Sequence, residues 1–160
     1  PAGPREEPPM PDTQRNEGAV SPELDEMTCD LIGLFLDSLA EGDDPGVVVC
    51  VEDAAGSRSQ VAFSDDGEEA CLAAAQAFVT QHAGTGVPED GVGALVRYAL
   101  ACTGCVDLGD EGYRNAVLVS FFERGLPCGY SAYVLFDGMG EGDAFMWSDP
   151  EPAGEEPPLL

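Results

Sequence analysis

Two consecutive apolar segments, residues 116–123 and 128–136, constrain the fold more than any other feature of this sequence. Both strand faces are apolar in these segments, as the neighbours Leu118 and Val119 illustrate. Residues 124–127, Arg-Gly-Leu-Pro, predict a hairpin with a short loop between the two strands. Strands that are apolar on both faces usually lie inside a sheet, with a covering layer on each side. We therefore expect this hairpin in the middle of a sheet, with a homodimer through the two-sided apolar hairpin as the alternative cover.

The N-terminal half predicts a helix followed by a second hairpin. Ser21-Pro22 is typical of a helix start, because Ser accepts a hydrogen bond as N-cap and Pro fits the first turn. An apolar stripe at helical spacing continues from there to Gly42. Two β-branched runs, residues 47–52 and 60–64, enclose a turn-rich segment and predict paired strands.

The remaining apolar segments predict two more helices and a short strand. Asp65 and Glu68 resemble a capping box for a helix that ends before residue 84. A third helix is predicted from about residue 88 to residue 101, because apolar side chains recur there at helical spacing. Residues 144–147 predict a short final strand.

This order of elements predicts an α+β fold, with about three helices packed on a largely antiparallel sheet of about five strands and disordered termini. We place a single α+β domain at residues 21–148. Residues 1–20 are predicted to be a disordered, acidic, Pro-rich arm, and residues 149–160 a disordered acidic tail.

The charge of the chain is far from balanced. Its 31 acidic residues face only 6 arginines and no lysine, which gives a net charge of -25. Subtracting the -2 of residues 1–22 and the -4 of residues 148–160 leaves -19 for residues 23–147. The charge therefore belongs to the folded part, where many carboxylates lie within a screening length of about 8 Å of one another and oppose compaction.

This charge excludes several classes of partner. Nucleic acids and anionic membrane surfaces are bound through lysine and arginine, which the folded part almost lacks. No segment approaches the ~20 apolar residues of a membrane span, and the first residues do not resemble a secretion signal. We expect a cytoplasmic protein that binds neither nucleic acid nor membrane, with reduced cysteines and no cofactor.

The one motif with a chemical precedent is Cys102-Thr103-Gly104-Cys105. A thiol or metal site is an alternative function, with His82 as a further ligand, but zinc needs a second ligand pair and redox thiols favour a helix N-terminus. The glycine-rich acidic loop at residues 137–143 imitates a calcium loop but lacks its bidentate Glu. No recognisable catalytic set is present, which favours a non-enzyme.

The favoured hypothesis is an acidic protein-interaction module that engages a basic protein surface, in the manner of a nucleic-acid-mimicking inhibitor or an immunity-type protein. The candidate binding residues are Asp43, Asp44, Asp65, Asp66, Glu68, Glu69, Asp107, Asp110 and Glu111. The alternative is that the acidity reflects adaptation to salt or a GC-rich genome, in which case it says nothing about function.

Overall fold

The computed structural model describes residues 20–64 and 67–160. They form an α+β fold in which two helices pack on one antiparallel sheet of seven strands. The helices are α1 (Pro22–Ala40) and α2 (Glu68–His82). The strands are β1 (Val47–Asp53), β2 (Arg58–Phe63), β3 (Leu95–Asp107), β4 (Tyr113–Glu123), β5 (Gly129–Asp137), β6 (Met146–Trp147) and β7 (Glu151–Glu156).

The sheet has the strand order β2-β1-β3-β4-β5, and β6 and β7 both pair with the outer side of β5. Every pairing is antiparallel. The hairpin β4–β5 therefore lies inside the sheet, as its two apolar faces predicted. The predicted hairpin of residues 47–52 and 60–64 is also confirmed, as β1 and β2.

Helix α1 covers one face of the sheet. Its N-terminus forms as predicted, because the hydroxyl of Ser21 accepts a hydrogen bond from the backbone N–H of Leu24 at 3.1 Å. Its apolar stripe packs on inward side chains of β1, β3, β4 and β5 and forms the larger core. Phe35, which is fully buried, lies in this core.

Helix α2 and the last residues of the chain share the other face. Cys71, Ala75 and Val79 of α2 pack over β1, β2 and β3. Leu159 packs against the same core, and its backbone N–H donates to the hydroxyl of Tyr98 at 3.2 Å. Residues of the same chain thus cover part of the second face of the β4–β5 hairpin. The alternative that a homodimer covers it stays a prediction.

The predicted third helix is wrong. Residues 88–90 form only a 3₁₀ turn, and Leu95–Asp107 is strand β3. The segment from Leu95 to Cys102 is apolar almost throughout, so helical and strand periodicity both fit it. The segment is a strand because it pairs with β1 on one side and β4 on the other, and its first eight residues are largely buried on both faces. Residues 20–64 and 67–160 thus contain two helices and seven strands, where about three helices and about five strands were predicted.

The two ends of the chain differ in what the structure describes. The predicted tail 149–160 is not disordered throughout, because Glu151–Glu156 pairs with β5 as strand β7. Its prolines are tolerated there since an edge strand needs hydrogen bonds on one side only. The predicted arm 1–20 lies outside the described residues except for Val20. Neither helix in the described residues has the length and apolar character needed to cross a bilayer.

The strand directions give the sheet two distinct ends. At one end lie residues 41–46, 67–69, 107–114 and 137–147, which we call the acidic end. At the other end β1 turns into β2, α2 turns into β3, and β4 turns into β5. We call that end the arginine end, because Arg58, Arg97 and Arg124 lie there.

Candidate protein-interaction surface

The structure brings seven of the nine predicted binding residues to the acidic end. They come from three separate parts of the chain, namely the α1–β1 loop, the start of α2 and the β3–β4 turn. All seven are exposed: Asp43, Asp44, Glu68, Glu69, Asp107, Asp110 and Glu111. The other two, Asp65 and Asp66, lie outside the described residues.

Four further carboxylates at this end were missed by the sequence argument. They are all exposed: Glu41, Asp137, Glu141 and Asp143. A contact between the α1 terminus and the β5–β6 loop places them there, since the backbone N–H of Gly140 donates to the carbonyl of Leu39 at 2.8 Å. The sequence carried the signal of an acidic loop at 137–143, but only the tertiary contact shows that it lies beside residues 41–44.

Asp44 is the most firmly held of these carboxylates. Its Oδ1 accepts from the backbone N–H of Gly46 at 2.9 Å, and its Oδ2 accepts from the hydroxyl of Thr103 at 2.8 Å. Asp44 and Glu68 border a pocket of about 260 Å³ whose floor includes Cys102. Burial, and then these two carboxylates, raise the pKa of the Cys102 thiol to about 11. Cys102 is therefore a thiol, not a thiolate, at neutral pH.

Arg97 and Arg58 form ion pairs away from the acidic end. The guanidinium of Arg97 is buried between Glu52, at 2.6 Å, and Glu123, at 2.8 Å. Arg58 pairs with Glu52 at 2.6 Å. All of these groups belong to the arginine end or to the face beneath α1. Their positive charge is used for internal ion pairs.

The described residues contain two other arginines, Arg114 and Arg124. Arg124 donates from Nε to the carbonyl of Leu95 at 3.0 Å, also at the arginine end. Arg114 is the one arginine of the described acidic end, and it lies 3.6 Å from Glu111 in an exposed pair. Among the residues that the structure describes, eleven carboxylates thus share this end with a single guanidinium, which gives the end a strongly negative potential.

Exposed apolar side chains concentrate at the same end. Among the described residues, five large hydrophobic side chains are exposed, and four of them lie here. These four are Tyr113, Met139, Met146 and Trp147, and the fifth is Val20. Single exposed apolar residues are common, but four of them at one end form a local departure from a charged surface. The sequence did not predict this feature.

The thiol motif does not form a site. Cys102 and Cys105 lie on strand β3, where residues three apart point to opposite faces of the sheet. Cys102 is buried on the α2 face, whereas Cys105 is exposed and lies 3.6 Å from the Oδ1 of Asn115. Because the predicted third helix is a strand, the expectation that this pair follows the end of a helix is also wrong.

His82 is far from both thiols in the fold, at the C-terminus of α2. Its Nδ1–H donates to the carbonyl of Gly86 at 2.9 Å, and its ring packs on Phe78 with centroids 4.5 Å apart. In residues 20–64 and 67–160, no three His, Cys, Asp or Glu side chains are grouped to hold a metal ion. His82 is thus held by the fold as a helix-terminal residue.

One carboxylate of the arginine end has a structural task. Asp53 accepts backbone N–H bonds from Ala55 and Ser57, both at 2.9 Å, and from Gly93 at 2.8 Å. The bond from Gly93, with smaller contributions from the others, holds the pKa of Asp53 below its usual value against the opposing effect of burial. Asp53 thereby ties the β1–β2 turn to the segment that precedes β3.

Comparison with known protein families, with curated proteins and with solved structures finds no match for this chain.

Proposed function

We propose that the protein is an acidic interaction module whose acidic end docks on a basic surface of another protein. The observation that carries the proposal is that eleven exposed carboxylates of the described residues, from four separate chain segments, share one end of the sheet with a single half-buried arginine. Such a surface attracts a cationic partner at long range and accelerates association, and the effect weakens as salt is added.

The outer face of α1 extends this negative surface. Within α1 its exposed carboxylates are Glu23, Asp25, Glu26, Asp30 and Asp37. Over the length of α1, about 28 Å at 1.5 Å per residue, they give one charge per roughly 5–6 Å. Duplex DNA carries one charge per about 1.7 Å. The row is about three times sparser, which favours a general basic protein surface over a partner that reads a duplex-like charge density.

Binding to a defined cationic probe tests the proposal. The probe is a synthetic peptide that alternates Arg and Ser, and affinity is measured by calorimetry at low and physiological salt. In the test variant, Asp43→Asn and Asp110→Asn remove two charges from the acidic end. In the control, Glu89→Gln and Glu155→Gln remove two exposed charges that lie outside both the acidic end and α1, so that both variants have the same net charge.

We expect the Asp43/Asp110 variant to bind the peptide several-fold more weakly than the control and to lose part of the salt dependence. Equal weakening in both variants would mean that only the net charge matters, and the proposal would fail.

Circular dichroism against salt concentration separates this proposal from general salt adaptation. A docking surface predicts a fully folded domain in dilute buffer, because the two cores and the internal ion pairs do not need salt. Folding that appears only near molar salt would favour adaptation and would remove the charge as an argument for function.

A further inference from the structure

Trp147 and its neighbour Met146 form an exposed apolar platform at the acidic end. The side chains are 60% and 68% exposed, respectively, although both residues belong to strand β6. The platform lies at the outer edge of the sheet, because β6 pairs only with β5. Covering such large exposed side chains with a partner is favourable, because it removes apolar surface from water.

The position of Trp147 is fixed by a row of stacked rings. Its ring packs on Phe145, with centroids 6.0 Å apart and planes at 29°. Phe145 packs in turn on Phe136, at 5.8 Å and 28°. Phe136 and Phe145 are both buried in the α1 core. Trp147 is therefore the exposed member of an aromatic row that begins in the core, and a partner would find its indole already ordered.

Carboxylates surround this platform. Asp137 is the strand partner of Met146, Asp143 precedes β6 by three residues, and Asp149 follows it by two. No arginine or lysine occurs after residue 124 in the sequence. A second copy of the chain would bring the same carboxylates face to face, which opposes self-association here. The charges around the platform match a cationic partner instead.

We propose that Trp147 and Met146 are the apolar anchor of the docking surface, and that the partner is a protein segment in which arginines alternate with apolar side chains. The inference rests on the proposed function and adds to it the anchor and the kind of partner. Tryptophan is enriched among the residues that dominate binding energy, and its indole also attracts an arginine guanidinium through its ring face. Carboxylates around it supply the charged rim that attracts and orients the segment.

The sole tryptophan of the chain makes the test direct, because all indole fluorescence comes from Trp147. Two synthetic peptides of equal length and charge are titrated into the intact protein, one alternating Arg and Ser and the other Arg and Leu. With the Arg-Leu peptide we expect the Trp147 emission to move to shorter wavelength and its quenching by acrylamide to fall. The Arg-Ser peptide should bind more weakly and leave the emission unchanged.

Calorimetry with variants gives an independent measurement. Trp147→Ala should weaken binding of the Arg-Leu peptide about 30-fold, which corresponds to the threshold of a dominant interface residue. Val20→Ala, which alters the exposed hydrophobic side chain away from the acidic end, should leave the affinity unchanged. Circular dichroism confirms that each variant is folded. The fluorescence shift of the unmodified protein stands even if Trp147→Ala fails to fold.

The outcomes separate this inference from the proposed function. If both peptides bind equally in a salt-dependent way and the Trp147 emission does not move, the anchor is refuted while the acidic docking surface stands. If neither peptide binds at low salt, the proposed function fails and the anchor fails with it.

Discussion

Replacing Arg97 with methionine should destabilise the fold far more than the same change at Arg114. Arg97 is 7% exposed and lies between Glu52 and Glu123, at the end of the sheet beneath α1. Glu52 is itself only 5% exposed. Methionine replaces the aliphatic stem of arginine but removes the guanidinium and its charge, so two carboxylates would lie close together without their shared cation.

The size of the expected loss of stability depends on how deeply each arginine is buried. Removing one partner of a buried ion pair leaves an uncompensated charge and costs about 3–5 kcal/mol. Glu52 retains its 2.6 Å contact with Arg58, so the lower part of that range, about 3 kcal/mol, is expected for Arg97→Met. The side chain of Arg114 is 39% exposed, and its contact with Glu111 is 3.6 Å, so Arg114→Met should change stability by less than about 1 kcal/mol.

Urea unfolding followed by far-ultraviolet circular dichroism measures both variants, with linear extrapolation to water. Adding Glu123→Gln to Arg97→Met should restore part of the loss, because it removes one of the stranded carboxylates. If Arg97→Met and Arg114→Met have the same free energy of unfolding within about 1 kcal/mol, the buried network does not hold the arginine end as described.

Three further results are expected. The pKa of Asp53 is lower in the folded protein than in the unfolded chain, so the ionised carboxylate stabilises the fold fully above the unfolded pKa near 4, and this contribution is lost as pH falls from there through the folded pKa. Asp53→Asn should therefore make the free energy of unfolding depend less on pH in the acid range. An unchanged dependence would contradict this. Gly86→Ala should destabilise by at least about 2 kcal/mol, because φ is +72° and an added Cβ would collide with the carbonyls of Val92 and Gly93. Gly91→Ala, with φ +74° but open space, should cost about half as much in the same denaturation assay. Iodoacetamide followed by mass spectrometry should label exposed Cys105 well before Cys102, whose thiol is buried with a pKa of about 11; equal labelling rates would contradict the placement of β3.

Local chemistry predicted the elements whose ends carry a sequence signal. Ser21-Pro22 specified the start of α1, and the turns at residues 53–58 and 124–127 specified two hairpins. Strand β3 lacks such a signal, because an apolar run fits a helix or a strand equally well. Pairing with the neighbouring strands makes this segment a strand, and which strands become its neighbours depends on the fold of the whole chain. The prolines of β7 favoured the prediction of a disordered tail, but prolines are also compatible with an edge strand.

The acidic end was predictable in part. Eight of the nine candidate acids lie in adjacent pairs in the sequence, and Asp107 is the ninth. The end of β3 and the start of α2 lie at the same end of the sheet, which brings the described candidates together. Glu141 and Asp143 joined them only through the contact between Gly140 and Leu39. Nothing in the sequence distinguishes an exposed Trp147 from a core tryptophan, because Phe145 and Trp147 alternate as two buried residues of a strand would.

Amide chemical-shift mapping by NMR tests the central claim most directly. The protein is titrated with the Arg-Leu peptide at physiological salt, and each backbone amide is followed. A docking surface at the acidic end predicts that the largest changes fall on residues 41–46, 107–114 and 137–147 and converge on β6. Changes spread evenly over the whole domain, including β7 and the arginine end, would show attraction to net charge alone and would contradict the account.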